Sequence, residues 1–493
     1  MRKQHYPARF PTSRHPVAQT LIVCLLSATL TAYSSIILAN TGPTDTEAQL
    51  RPGADAGAAL IELKNAVLEE PESPRLRYRL GTAYLQAGDG AAAEKELQRA
   101  IDLGRNEFPV RVKLAEAWIA QGRFQDVILD PELKDALDTP NEAAVMTLYG
   151  KAELGRKRLT AARQRFEQAL ALSSDYPPAQ LALARLELAE DNLGAAELLL
   201  ARLEQGEDPD LAAINEIRGD LEMARGDFVG AEQAYRTALE AAPGRTDLLR
   251  DAAFTMMSRG DFKTAETELE KVIRVSPNDG NALMMLAMAA FEQNDYARAA
   301  QIAEAFTGPN QTLPLPLYIA GASSYFLGQP EQAREYLSRY VARAPNDPAG
   351  RRVYAAALLD LGDGMDAYAQ LAPMAETGQD DPGLLGLLGT AAAMAGRVEE
   401  GVAHLEDAVT LDPDNKVYQL RLTAARMLTS DREQGLADLE RLAADPDVVG
   451  AKSTLLRERF LAGAYAEALE MLDAAEVERG TTPETRVLRA KAL

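Results

Sequence analysis

The sequence predicts an all-α protein, a superhelical solenoid of about twelve helix-turn-helix units. Three observations carry that expectation. First, one position recurs every 33 to 35 residues: Ala93, Val127, Ala162, Ala196, Ala231, Ala265, Ala299, Ala333, Ala367, Gly401, Gly435 and Ala468. All but Val127 are Ala or Gly, and chance does not hold such a register over about 375 residues. Second, another small residue lies about twelve positions earlier in each period, from Gly81, Ala115 and Gly150 through Gly389 to Thr423. Third, apolar residues around both series are spaced three and four apart, the pattern of amphipathic helices. A stacked repeat of this length makes an extended binding surface rather than a catalytic pocket.

One unit shows how the pattern works. In "LRYRLGTAYLQAGDGAAAEKELQRAIDLG", Leu76 to Gly104, one helical face carries Leu80, Ala83 and Tyr84. A turn, "AGDG", follows. Ala93, Leu97, Ala100 and Ile101 then form a second apolar stripe. Small residues at the two fixed points let the paired helices approach closely. Units are expected to begin near Pro74, Phe108, Ala143, Pro177, Ala212, Thr246, Gly280, Pro314, Pro348, Pro382, Lys416 and Val449. Pro277, Pro345 and Pro413 fall after second helices, where a residue that cannot continue a helix belongs. Residues Asp55 to Pro71 read as the second helix of an earlier unit, and 483–493 as the first helix of an incomplete terminal one. Two units are irregular. "LDPELKDALDTPN", with Pro131, interrupts the second helix of the unit at Phe108. "FTGPNQTLPLPLYIA" predicts a bend near 306–316.

The amino terminus differs in kind. Residues 1–39 carry Arg2, Lys3, Arg9 and Arg14 and no acid, and Val17 to Ala39 is uncharged. That stretch is long enough to span a bilayer and equally suits an export signal, so 1–39 reads as a cleaved signal peptide or a signal anchor. Residues 40–54 are then a linker and 55–493 the repeat array. Basic residues before the apolar stretch favour the cytoplasm for the first residues. That places the array in the periplasm or cell envelope and predicts membrane association through the amino terminus.

Composition narrows the function classes. The chain has 52 Lys and Arg against 74 Asp and Glu, a net charge of −22. Nucleic-acid binding calls for a basic face, so no nucleic acid is expected as a partner. Cys24 is the only cysteine and lies in the apolar stretch, and two of the three histidines precede that stretch. The array therefore has no His/Cys set for a metal, and a catalytic triad would rest on His404 alone. No phosphate-binding loop or dinucleotide motif occurs. Neither a catalytic residue, a cofactor nor a metal is expected.

The unit resembles the tetratricopeptide repeat (TPR). The tail "GDFVGAEQAYRTALEAAP", Gly226 to Pro243, and "RGDFKTAETELEKVIRVSPND", Arg259 to Asp279, carry the likeness. The resemblance implies a right-handed superhelix whose first helices line a concave groove for protein or peptide partners. It implies that the second, fifth, ninth and twelfth positions of each unit face that groove. Among these are Arg250, Phe254, Met257, Met284, Met288, Phe291, Tyr318 and Tyr325, a groove rich in methionine and aromatic side chains. Thioethers adapt to varied apolar surfaces and aromatics anchor interfaces, which suits an extended peptide or a partner helix. The Lys and Asn of the chaperone-type carboxylate clamp are missing: the fifth and ninth positions are Tyr78 and Thr82 in the first full unit.

Ala58 to Glu107, with "IELKNA", "GDGAAAEKEL" and "AIDLG", is similar to a narrower group, as is "KLAEAWIAQGRFQDVI", Lys113 to Ile128. That group is the TPR lipoproteins of bacterial PEP-CTERM/exosortase and exopolysaccharide systems, the PrsT type. The likeness implies a non-enzymatic, membrane-associated scaffold in exopolysaccharide or PEP-CTERM surface-protein export. The family is lipidated, whereas Tyr33 stands where its cysteine would be expected. The alternative reading is a general periplasmic TPR adaptor for outer-membrane or cytochrome assembly.

Overall fold

A computed structural model describes residues 56–308, 313–375, 380–445, 448, 450–479 and 489. The segment Val17 to Ala39, Cys24, Tyr33, the linker and most of 483–493 lie outside the described residues, as do 309–312 within the expected bend. What is described is helical, and it falls into two compact bodies, one ending at Asp295 and one beginning at Tyr296. Among the described residues no helix is long and apolar enough to cross a membrane.

The first body opens with α1 (Ala56–Glu69). Units follow in pairs: α2 (Pro74–Gln86) with α3 (Gly90–Asp102), then α4 (Phe108–Ala120) with the short α5 (Phe124–Leu129) and α6 (Pro131–Asp135). Next come α7 (Glu142–Gly155) with α8 (Leu159–Leu172), α9 (Pro177–Ala189) with α10 (Leu193–Glu204), and α11 (Leu211–Arg225) with α12 (Phe228–Ala241). The body closes with α13 (Thr246–Ser258), α14 (Phe262–Val275) and α15 (Gly280–Glu292). The second body begins with α16 (Tyr296–Glu304). It continues with α17 (Leu315–Phe326) and α18 (Pro330–Arg343), then α19 (Pro348–Leu361) and α20 (Gly364–Leu371). After these come α21 (Pro382–Met394) with α22 (Val398–Leu411), α23 (Lys416–Arg426) with α24 (Arg432–Ala444), and α25 (Ala451–Leu461) with α26 (Tyr465–Arg479). In each body a first helix packs on its own second helix, which packs on the next first helix.

The small-residue ladder is the seam of this packing. Ala93, Ala162, Ala196, Ala231, Ala265, Ala299, Ala333, Ala367 and Ala468 are fully buried, as is Val127. The glycines of the earlier series sit beneath a large side chain sixteen positions on. A Cβ on Gly81 would fall 2.7 Å from Leu97 Cγ, on Gly219 2.4 Å from Tyr235 Cε1, and on Gly321 2.6 Å from Leu337 Cγ. Protein interiors have no slack for such overlaps, so the backbone approach requires the small residue.

Helix ends are set locally. Asp89, Asp227 and Asp261 cap second helices by accepting from the backbone N–H of Ala92, Gly230 and Thr264. Asp210, Asp279, Asp347 and Asp381 do the same for first helices. These side chains occupy N–H groups that have no partner inside the helix. Pro131 breaks the irregular second helix, as its sequence suggests: Asp130 ends α5 and caps α6 through the N–H of Leu133 at 2.8 Å. Leu133, Val127, Ile119 and Val145 then rebuild a buried core there.

Candidate functional site

The first helices of the first body are joined along one face by a run of ion pairs. Glu116 on α4 lies 3.3 Å from Lys113 Nζ and 3.6 Å from Lys151 Nζ on α7. Arg185 on α9 pairs with Glu216 on α11 at 2.7 Å, and Glu216 also pairs with Arg245, which precedes α13, at 2.6 Å. Arg245 holds Asp247 as well. Arg250 pairs with Asp279, the cap of α15, at 2.8 Å. Most of these groups are buried, which raises the penalty for leaving any one unpaired. Burial lowers the Lys151 ammonium below its usual range, with the Glu116 charge opposing it. Asp220, one turn beyond Glu216 on α11, is pushed up to about 7, chiefly by burial and then by the Glu216 charge. It accepts a hydrogen bond from Tyr235 Oη at 2.6 Å.

The eight residues expected to line a groove divide between the two bodies. Arg250, Phe254 and Met257 lie on α13, and Met284, Met288 and Phe291 on α15, all in the first body. Tyr318 and Tyr325 lie on α17 in the second. Phe254, Met284, Met288 and Phe291 are half-buried, and Arg250 is engaged by Asp279. Met257, Tyr318 and Tyr325 are buried at 5%, 4% and 8% exposure. The Tyr318 ring packs on Tyr340, with centroids 5.3 Å apart. Burial at Glu292, which ends α15, pushes its carboxyl up to about 7.

The charged run is the part that sequence reading missed. Its signal was present at the ninth positions, where Glu116, Lys151, Arg185 and Asp220 follow one another. In the second body the corresponding face carries Arg352, paired with Asp381 at 2.6 Å, and Arg421, whose Nη1 donates to the Gly386 carbonyl at 3.5 Å. A cleft of about 670 Å³ lies on the other side of α13, between α12 and α14, floored by Leu249 and Met256 and rimmed by Arg236, Lys271 and Arg274. Among the described residues no group of three or more His, Cys, Asp or Glu side chains is placed to hold a metal. His404 on α22 has Glu400, 3.9 Å away, as its nearest carboxylate partner.

Stacked helix pairs with small residues at fixed seams and polar groups along one face of the first helices define a repeat protein of the interaction class. Residues 54–109, 153–221 and 222–279 match the tetratricopeptide-repeat model, and 258–340 match the model for subunit 3 of the anaphase-promoting complex, cyclosome. The chain carries tetratricopeptide repeats over these residues, and TPR proteins bind protein or peptide partners. It is similar to the Cut9–Hcn1 structure of the APC/C at 14% identity, covering 89% of this chain and 93% of that one, with a TM-score of 0.39. It is similar to PilF of Pseudomonas aeruginosa at 16% identity, covering 44% and 98%, with a TM-score of 0.40. YrrB, described as a TPR protein with an unusual peptide-binding site, is 20% identical over 38% of this chain and 97% of its own, with a TM-score of 0.34. A search of curated proteins finds no match.

Proposed function

We propose that this protein is an exported, membrane-associated TPR scaffold that holds protein segments along its first helices during envelope assembly. The observation that carries the binding half is the face shared by α13 and α15. There Phe254, Met284, Met288 and Phe291 are only half-buried beside the Arg250–Asp279 pair. Adaptable apolar side chains next to a fixed ion pair suit an extended segment or a partner helix. The envelope half is supported by sequence: the basic residues before the uncharged stretch from Val17 to Ala39. The likeness of Ala58 to Glu107 to the PrsT-type lipoproteins supports a role in exopolysaccharide or PEP-CTERM surface-protein export.

A photo-crosslinking side chain at Met288 tests the binding half in cells. A specific envelope partner is expected, and its capture should disappear in a Phe291→Ser variant crosslinked from the same site. Unchanged capture from a folded Phe291→Ser protein would sink this groove. Fractionation tests the rest: recovery of the array in the cytoplasm would overturn the envelope role.

A further inference from the structure

Four successive first helices of the second body, α17, α19, α21 and α23, carry Tyr325, Asp360, Gly386, and Tyr418 with Arg421; Arg421 and Tyr418 meet the Gly386 backbone, and Tyr325 and Asp360 lie within reach of the Arg421 charge. Arg421 reaches back from α23 to the Gly386 carbonyl on α21, a long contact of 3.5 Å. Its charge is felt at Tyr325 and Tyr418, and the charge of Asp360 is felt at Tyr325 and Arg421. Gly386 makes room for this: a Cβ there would fall 2.7 Å from Tyr418 Cε1, so the Tyr418 ring lies against the α21 backbone.

The donors gathered here have no carboxylate acceptor. Among the described residues Arg421 forms no ion pair and makes only that one long hydrogen bond. The Tyr325 and Tyr418 hydroxyls reach no carboxylate among the described residues, and neither is sealed from solvent. Other tyrosine hydroxyls of the array reach carboxylates. Tyr235 donates to Asp220, Tyr340 to Asp347 at 2.7 Å and Tyr368 to Glu400 at 2.5 Å. Arg352, next to the cluster, is taken by Asp381. A guanidinium carries five N–H donors, so Arg421, with one long contact, has donors left to offer an acceptor on a partner.

We propose that Arg421, with the hydroxyls of Tyr325 and Tyr418, forms a subsite for one carboxylate of an acidic side chain in a protein segment lying along the first helices of the second body. A planar guanidinium matches the two oxygens of a carboxylate, and flanking phenols add donors and apolar walls. One cation with Asp360 nearby offers no surplus for a doubly charged phosphate, which recruits clusters of arginine. The inference rests on the reading of these first helices as a binding face.

The full chain is tested on arrayed short peptides, each present in a Glu form and a matching Gln form. The expected result is a Glu preference of about tenfold, near the lower bound for a hydrogen bond to a charged group. Arg421→Met should abolish it, and Tyr325→Phe, which keeps the ring packing, should weaken it. Circular dichroism establishes that each variant folds. Equal binding of Glu and Gln forms, or a preference that survives Arg421→Met, overturns the subsite but leaves the groove standing. Loss of the Glu preference in excess inorganic phosphate, with Gln-form binding unchanged, assigns the site to a free anion and also overturns it. A Glu preference that persists when Met288 capture proves independent of Phe291 supports this subsite and removes only the first-body groove.

Discussion

A methyl group on Gly150 would lie 2.3 Å from Cε1 of Phe166. Two opposing effects meet at this position. Replacing a mid-helix glycine by alanine gains about 1 kcal/mol of helix propensity, while forcing a methyl into a packed seam costs about 1–3 kcal/mol. Phe166 is fully buried in the seam, where packing leaves little slack, so the packing term wins. Gly150→Ala is expected to lower stability by up to about 2 kcal/mol, read as a lower urea midpoint at constant slope. Adding Phe166→Leu should recover part of the loss. A neutral or stabilised single variant would show that the seam is looser than this geometry.

The turns between paired helices offer the opposite case. Gly226 occupies this position with φ 76°, while Lys157 and Asp191 hold it with φ 61° and 62°. A side chain in that conformation costs about 1–2 kcal/mol, and the freer unfolded glycine chain takes back about 0.4–1. Lys157→Gly should therefore stabilise the array by about 0.5–1 kcal/mol. Thermal melts decide the sign, and a lower melting temperature would mean that the Lys157 side chain contributes more than its backbone strain costs.

Much of this architecture was legible because helices can cross closely only where residues are small. Gly81, Gly150 and Gly219 therefore recur at intervals that packing enforces. Pro131 announced its own interruption, since it cannot donate the N–H that would continue α5. The ion-pair run was not legible. Arg185 and Glu216 are 31 residues apart and meet only once α9 and α11 stack, and Arg245 joins them from a turn. Nor did the register reveal the division after Asp295, because Ala265 and Ala299 keep the ladder's step across it. At the expected groove, position alone did not separate half-buried Met288 from buried Met257, since their surroundings depend on the neighbouring helices.

Glu216 is the hinge of the charged run, with Arg185 at 2.7 Å and Arg245 at 2.6 Å. Removing the shared carboxylate leaves the buried Arg185 guanidinium uncompensated, a loss of about 3–5 kcal/mol for Glu216→Leu. Arg245 retains Asp247, so Arg185 is the group left stranded. The double variant Arg185→Met/Glu216→Leu should be more stable than Glu216→Leu alone. Losses that simply add would mean that the two residues do not act as a pair.

Asp220 makes the first body sensitive to pH. Its pKa is raised from 3.8 to about 7, first by burial and then by Glu216, against the Tyr235 hydrogen bond and the Arg185 and Arg245 charges. The folded protein thus holds a proton that the unfolded chain releases near its ordinary carboxylate value. Between those two values the native state binds more protons than the unfolded state, so stability falls as pH rises. The contribution is fully present below the unfolded value and is lost by the time pH passes about 7. A tenfold difference in proton affinity between the two states is worth about 1.4 kcal/mol, so raising pH from about 5 to about 8 should cost on the order of 2–3 kcal/mol through this group. Asp220→Asn keeps the shape and the Tyr235 contact but cannot ionise. Its urea midpoint should change less over that range than that of the natural protein, and the variant should be the more stable of the two at the alkaline end. Parallel pH profiles for the two proteins would assign the sensitivity to another group, with Glu292, also raised to about 7 by burial, the next to substitute.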